Sequence, residues 1–539
     1  MTGVREQTDE TLENHAFIFE LSHALHKKLP AMMVSKFVRN LKSCLEQQTV
    51  GGRIQAGCGC TGTGAWVKFM ESNTRCWEER YGITAVPIDH ALGAENVVPK
   101  QDFICKHCGI DVLLGDIKQF ENARVSDVRT PEATRSLPSC TVFGAGYSCL
   151  DKSKQNSKRK NTSTQAVRNK RGSTGNTFAH AAAYIVKVRP KVSYLECVTE
   201  VENKDFFDEE TGDWESDSDF IKETFETHHF TVICCVLSAR ERGSAKNRVR
   251  WWARIFDMPL PIAQELGLEA TFHELLASLK LDPYPIERFF LAEDVLATLT
   301  SSLPYRLDQP PPKKIRDELG WKLIHEMICL DKNLEWPRNL LFREEDPSTA
   351  AYSQFRIREG EVISIAIELF PLKPCLWHYF DANHTAERSF KLDKHGNPIN
   401  ADGSMRNPWQ IVCPTLTSCT IIVCRKVEED GTASMRRLHC LEALRLAGWD
   451  LCHFHEDGPF FQENQDTDLL TSFAGNMWTA FHFLPLHIAS SGCVDWNRAI
   501  PLVDTWKQEQ RKKKEEEARA TKAEESSSEI ESYSCDDSD

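Results

Sequence analysis

The chain is expected to be an α/β protein built on a parallel sheet with helices on its faces. Two observations predict this. From 53 to 258, short apolar runs such as Thr141-Val142-Phe143 and Val192-Ser193-Tyr194-Leu195 alternate with glycine turns and stretches of helical periodicity. Where those runs end, single reactive or charged residues stand: Cys149 after the first, Glu196 closing the second. Ligands gather at strand ends in an open parallel sheet.

Taken in order, residues 14–47 carry two helical patterns broken at Leu29-Pro30, so 1–52 reads as a helical N-terminal extension without chemistry of its own. The core begins near Arg53. Ala56-Gly57-Cys58-Gly59-Cys60-Thr61-Gly62-Thr63-Gly64 opens a strand–turn–helix, with the helix around Trp66, Phe69, Cys76 and Trp77; a further helix covers 178–188. From 259 to 409 the character changes. Prolines cluster at 310–312, strands shorten, and tryptophans stand at 321, 336 and 377, as in a smaller second domain. Sheet-and-helix patterns return over 410–490. Residues 491–539 form a charged helical extension, covering 506–525, and a disordered Ser/Glu/Asp tail.

Composition bounds the function. At 539 residues the chain exceeds one ordinary core, and 41% hydrophobic with 27% charged residues fits a soluble globular protein. No run reaches the ~18 apolar residues a membrane helix needs, so no membrane partner is expected. The N-terminus lacks a secretory pattern. Twenty cysteines at irregular spacing read as reduced thiols of an intracellular protein. Cys105-Lys106-His107-Cys108 has no second pair at metal spacing, so no metal site is expected. The net charge of −14 is unevenly spread. Residues 152–172 hold eight lysines and arginines and no acid, whereas 205–219 and 523–539 are acidic. A basic stretch beside a cysteine suits phosphate contact through Lys158, Arg159 and Lys160; it equally suits a solvated insert or a nuclear-import signal.

The polar residues have matching chemistries. Gly62 and Gly64 let backbone approach a ligand closely, ahead of a helix N-terminus. Glu95 and Asp116, after the next two apolar runs, are acceptors able to take two hydrogens each. Cys149 follows Gly144-Ala145-Gly146 and offers a nucleophilic thiol, Glu196 a carboxyl, and Arg248 and Arg250 permanent, directional donors.

In this order the segments resemble those of the cytosine-5 DNA methyltransferases, over about residues 54–485. The glycine loop resembles that family's Phe-x-Gly-x-Gly, with Cys60 at the aromatic position. Ala94-Glu95-Asn96 and Leu114-Gly115-Asp116-Ile117 resemble its second and third motifs. Ser148-Cys149 stands for Pro-Cys, Glu196-Cys197-Val198 for Glu-Asn-Val, and Lys246-Asn247-Arg248-Val249-Arg250 for Gln-x-Arg-x-Arg. Cys413-Pro414-Thr415, Arg437-Leu438 through Gly448-Trp449, and Phe473-Ala474-Gly475-Asn476 resemble the closing segments.

The resemblance implies a Rossmann-like domain binding S-adenosylmethionine, with a target-recognition domain inserted before the last motifs. Cys60, Gly62, Gly64, Glu95, Asp116 and Asn476 would line the cofactor site, Glu95 on ribose and Asp116 on adenine. Gly475-Asn476 would start the helix that returns over the cofactor. Cys149 would attack cytosine C6, Glu196 assist at N3 and Arg248 hold O2, with Arg250 among the nucleic-acid contacts. DNA is the expected partner, since the recognition region of about 150 residues exceeds the compact one of the family's RNA-modifying branch. RNA, or a nucleic-acid-binding relative without catalysis, are the alternatives, the latter favoured by the departures at Cys60, Ser148, Cys197 and Lys246. A nuclear location is expected, with the cytoplasm as alternative.

Overall fold

A computed structural model describes residues 16–60, 62, 64–153, 166–209, 212–291, 318–334, 357–384, 386–393, 397–416, 421–449 and 467–532. Helices α1 (Ala16–His26) and α2 (Ala31–Gln48) come first, separated at Pro30. The sheet then forms from β1 (Arg53–Gly59), α3 (Ala65–Tyr81), β2 (Ile88–Ala94), α4 (Val98–His107), β3 (Leu113–Leu114), β4 (Val142–Ala145), α5 (Gly172–Val188), β5 (Val192–Cys197), α6 (Asp217–Glu226), β6 (Thr231–Ser238) and β7 (Val249–Phe256).

The strand order is β3-β2-β1-β4-β5-β7-β6. Strands β1 to β5 are parallel; β7 runs antiparallel to β5, and β6 antiparallel to β7. This is the expected Rossmann-like α/β architecture, closed on one side by an antiparallel pair. The strand order reverses between β1 and β4, and the crevice beyond the carboxyl ends of those strands is where such sheets bind ligands.

Both faces are covered, which is why β4 and β5 are buried at every position. On one side lie α2, α3 and a late helix, with Phe37, Leu41, Trp66, Phe69 and Trp77 in the core; on the other lie α5 and α6, with Phe178, Tyr184, Ile221 and Phe225. The front helices are part of the main core. Asn40 Nδ2 donates to the Gly492 carbonyl at 2.8 Å, and a Cβ on Gly492 would stand 2.1 Å from the Phe37 ring.

After β7, α7 (Leu260–Glu265) and α8 (Leu268–Ser278) also pack into the main core. A separate cluster gathers α9 (Glu318–Asp331), α10 (Ile357–Leu369) and an antiparallel sheet of β8 (Trp377–Asp381), β9 (Ile422–Val427) and β10 (Ala433–Arg437). Residues of 260–291 pack into the first core, and strands β8 and β9 serve both: Tyr379, Ile422 and Cys424 lie in the first cluster, Phe380 and Val423 in the second.

The chain returns through α11 (Thr467–Asn476) and α12 (Ala480–Gly492), then leaves in α13 (Trp496–Ser532). Helix α12 packs on α2, α3 and α8, and Ser490 Oγ accepts from Arg254 Nε of β7 at 2.7 Å. The tail beyond 532 lies outside the described residues.

Candidate active site

Strand β1 ends at Gly59, and the chain turns at once through Cys60, Gly62 and Gly64, all with positive φ (52°, 57° and 65°). Helix α3 starts directly after Gly64 with no side-chain cap, so its positive end faces the crevice. Glu95 is buried just past β2, its Oε1 accepting from the Asn96 and Val97 amides at 3.1 Å. Asp116, past β3, is exposed and accepts from the Lys118 amide at 2.9 Å. The three strand ends form one rim: burial, then the nearby Glu95 and Asp116 charges, push the Cys60 thiol up to about 12.

Between β1 and β4 lies a cavity of about 20 Å³, lined by Gly59, Cys60, Trp66, Gly144, Gly146 and Trp478, with Asn476 also in its wall. That is room for about one water. The indole of Trp478 fills the rest. A Cβ on Gly144 would stand 2.7 Å from it and one on Gly146 2.8 Å from its Nε1, so both glycines are needed for the ring to lie there. Trp66, Trp252 and Phe483 surround it at 5.7, 4.9 and 5.7 Å between centroids. Tryptophan 478 was not among the residues singled out by sequence, because a lone tryptophan after Gly-Asn reads as core. Gly475-Asn476 also behaves differently from expectation. It closes α11 instead of starting a helix, and α12 begins at Ala480 after Thr479.

On the other side of β4 the chain passes Gly146 and presents Cys149. A Cβ on Gly146 would also stand 3.4 Å from Glu196 Oε2, so the segment leading to Cys149 and the carboxyl at the end of β5 are adjacent. The arginines arrive for a topological reason. Because β7 is antiparallel to β5, with Trp252 opposite Glu196, its beginning lies at the carboxyl edge of β5. Side chains two apart share a face, so Arg250 lies diagonally across from Glu196. Its Nε pairs with Glu196 Oε1 at 2.9 Å, while Arg248 Nη2 is 3.9 Å from the same oxygen. Arg248 Nη1 also donates to the Gly475 carbonyl at 2.8 Å, tying the cluster to the end of α11.

Burial holds the buried Arg248 down to about 9, an effect reinforced by Arg250 and opposed by Glu196. Burial raises the half-buried Cys149 thiol above its ordinary value and Glu196 adds to this, while Arg250 and Arg248 counter it. Cys149, Glu196, Arg248 and Arg250 thus share one electrostatic neighbourhood. A desolvated thiol, a carboxyl and two guanidiniums are the parts needed to attack an electron-poor ring and hold its polar edge.

Lys246, where the resembled motif has glutamine, is fully buried, and its Nζ has no hydrogen-bond partner among the described residues. Its neighbour Asn247 donates from the backbone to the Cys413 carbonyl at 2.9 Å, so the Cys413-Pro414-Thr415 segment docks beside the arginines. Lys158, Arg159 and Lys160 lie outside the described residues. The flanks of that basic stretch depart from the expected phosphate role: Lys152 is buried between Asp205 and Asp217, and Arg168 pairs with Glu215. Among the described residues no group of three or more His, Cys, Asp or Glu side chains is placed to hold a metal, and no helix is long and apolar enough to cross a membrane.

No known family pattern and no curated protein matches this chain. Among solved structures, it is similar to the Dnmt2 methyltransferase of S. pombe at 10% identity, over 81% of this chain and 97% of that one, with a TM-score of 0.36. It is similar in the same degree to the Entamoeba histolytica methyltransferase EhMeth: 10% identity, 81% and 98% coverage, TM-score 0.35.

Proposed function

We propose that the protein is an S-adenosylmethionine-dependent cytosine-5 methyltransferase acting on DNA. The observation that carries this reading is the meeting of Cys149, Glu196, Arg248 and Arg250 at the carboxyl edge of β4 and β5, next to a glycine turn at the sheet's switch point. The glycine turn, Glu95, Asp116, Cys149 and Glu196 stand at or just past the ends of five strands, Arg248 and Arg250 stand at the start of β7, and the fold brings these together on one rim.

For the cofactor, the adenosyl half fits. Glu95 and Asp116 stand at successive strand ends beside Cys60, with acceptor oxygens suited to ribose hydroxyls and an adenine amino group. The Trp478 indole occupies the cavity beside Gly59 and Cys60 and would have to move for the rest of the cofactor to enter there. When bound, S-adenosylmethionine supplies an electrophilic methyl group. Asp116→Ala is expected to weaken S-adenosylhomocysteine binding by about 1–2 kcal/mol, the order of a lost polar contact. Asp116→Asn separates that loss from the lost cap of the following turn. Unchanged affinity in calorimetric titration of both variants would remove Asp116 from the site.

The protein's own residues account for activation of the base. Extrusion of the target cytosine from a duplex costs a few kcal/mol and gives its ring access to a recessed thiol. The Cys149 thiolate adds to C6, forming an S–C bond and moving an electron pair toward N3, where a proton arrives through Glu196. Arg248 holds the O2 edge. The enamine so formed carries its nucleophilic carbon at C5. Once C5 carries the methyl group, a water molecule takes the C5 proton, the freed electron pair forms the C5–C6 double bond as the thiolate leaves, and the N3 proton departs through Glu196, which restores the aromatic ring. The region of about 150 residues before the closing segments supports DNA as substrate. The test is covalent trapping on 5-fluorocytosine, offered in matched DNA and RNA oligonucleotides. Adduct on DNA supports the reading. Adduct on RNA alone moves the substrate, and none on either leaves a binding protein.

A further inference from the structure

Lys152 lies three residues beyond Cys149 in a run of positive charge, yet its side chain is 1% exposed. Its ammonium is 2.9 Å from Asp205 Oδ2 and 2.7 Å from Asp217 Oδ2. Asp205 belongs to a hairpin, Lys204–Phe207 paired with Trp214–Ser216, and Asp217 opens α6 directly after it. Two carboxylates thus face one buried ammonium. The backbone amides of Lys152 and Ser153 donate to the Cys149 carbonyl at 3.2 and 2.9 Å, so the lysine and the nucleophile belong to one tight turn.

The same turn is fastened to the start of α5. The Ser148 amide donates to Thr177 Oγ1 at 2.9 Å, the Asp151 amide to Thr174 Oγ1 at 3.1 Å, and Asp151 Oδ2 accepts from the Thr174 amide at 2.8 Å. Gly172 is required here, since a Cβ on it would stand 2.5 Å from Asp151 Oδ2. Toward the other end of the basic stretch, Arg168 repeats the pattern. It pairs with Glu215 of the hairpin and lies over the Phe206 ring at 4.3 Å.

From this we infer that Lys152 is a positioning residue for Cys149: the acidic hairpin and the start of α6 hold it, and through it fix the turn that aims the thiol. The turn is set before substrate arrives, with its anchors on the face of the sheet that α5 and α6 cover. The inference rests on Cys149 as the nucleophile, but its first readout needs no substrate.

The experiment compares Lys152→Met, Lys152→Arg and Asp217→Asn with the parent. Alkylation of Cys149 by iodoacetamide is followed at peptide level by mass spectrometry. Lys152→Met is expected to speed it about tenfold by freeing the turn. Lys152→Arg, which keeps the charge, should stay within about threefold of the parent. Trapping on 5-fluorocytosine DNA should slow by about 10²-fold in Lys152→Met, the scale of a 1 Å misplacement, while S-adenosylhomocysteine affinity is unchanged. Asp217→Asn, which preserves size, should fall between and serves should Lys152→Met fail to fold. Parent-like alkylation in Lys152→Met, or in Asp217→Asn where only that variant folds, would overturn the inference. Altered alkylation with no trapping in the parent would overturn the methyltransferase reading and leave the positioning role standing.

Discussion

Cys149→Ser is expected to eliminate covalent trapping on 5-fluorocytosine while the fold and the affinity for S-adenosylhomocysteine stay as they are. The exchange alters one atom at the end of a turn whose other contacts are backbone and neighbouring side chains. A serine hydroxyl has essentially no anion at neutral pH, whereas a thiol retains a usable fraction even when burial raises it. Fluorine at C5 cannot leave as a proton does, so the parent accumulates adduct and the variant none. Cys140 and Cys197 are the internal controls. Both are buried thiols, Cys197 closing β5 and Cys140 preceding β4 at the opposite edge of the sheet, and burial pushes Cys140 up to about 12. Their serine variants should trap normally, since neither faces the rim.

Glu196→Gln has the second largest expected effect, and its sign in pH is the informative part. Loss of a positioned proton donor should lower the maximal trapping rate by about 10²–10⁴-fold. The same substitution removes a negative neighbour that raises the Cys149 thiol. The thiol's pKa therefore falls, and the rising limb of the pH–rate profile moves to lower pH even as its plateau drops. Arg250→Ala should move that limb the other way, because its charge lowers the thiol. The check is the trapping rate between pH 6 and about 10 for all three proteins. A limb that does not move in Glu196→Gln would place the carboxyl too far from the thiol to act on the same base.

The polar strand ends could be anticipated from the sequence because they depend on local pattern. Runs ending at Gly59, Ala94, Leu114, Ala145 and Cys197 mark the carboxyl edge of a parallel sheet, and the residues at or just beyond each end fall on that edge. Strand direction was not legible. Alternation has the same period whichever way a strand runs, so the antiparallel β7 that brings Arg248 and Arg250 to Glu196 emerges only from pairing register. Burial of charge was equally hidden. Lys152 looks like one of eight solvated cations until Asp205 and Asp217, more than 50 residues away, are folded against it. Trp478 and the two front helices escaped for a related reason. Amphipathic or aromatic residues announce that they will be buried, but not in which core or against which glycine.

The most direct measurement of the central claim is peptide mapping of the trapped complex. The protein is incubated with a 5-fluorocytosine DNA duplex and S-adenosylmethionine, digested, and the cross-linked peptide sequenced by mass spectrometry. The predicted result is a single nucleotide-bearing peptide containing Cys149, absent without S-adenosylmethionine and absent in Cys149→Ser. A cross-link on Cys197 or Cys140, or no cross-link on a DNA that the protein demonstrably binds, would contradict it.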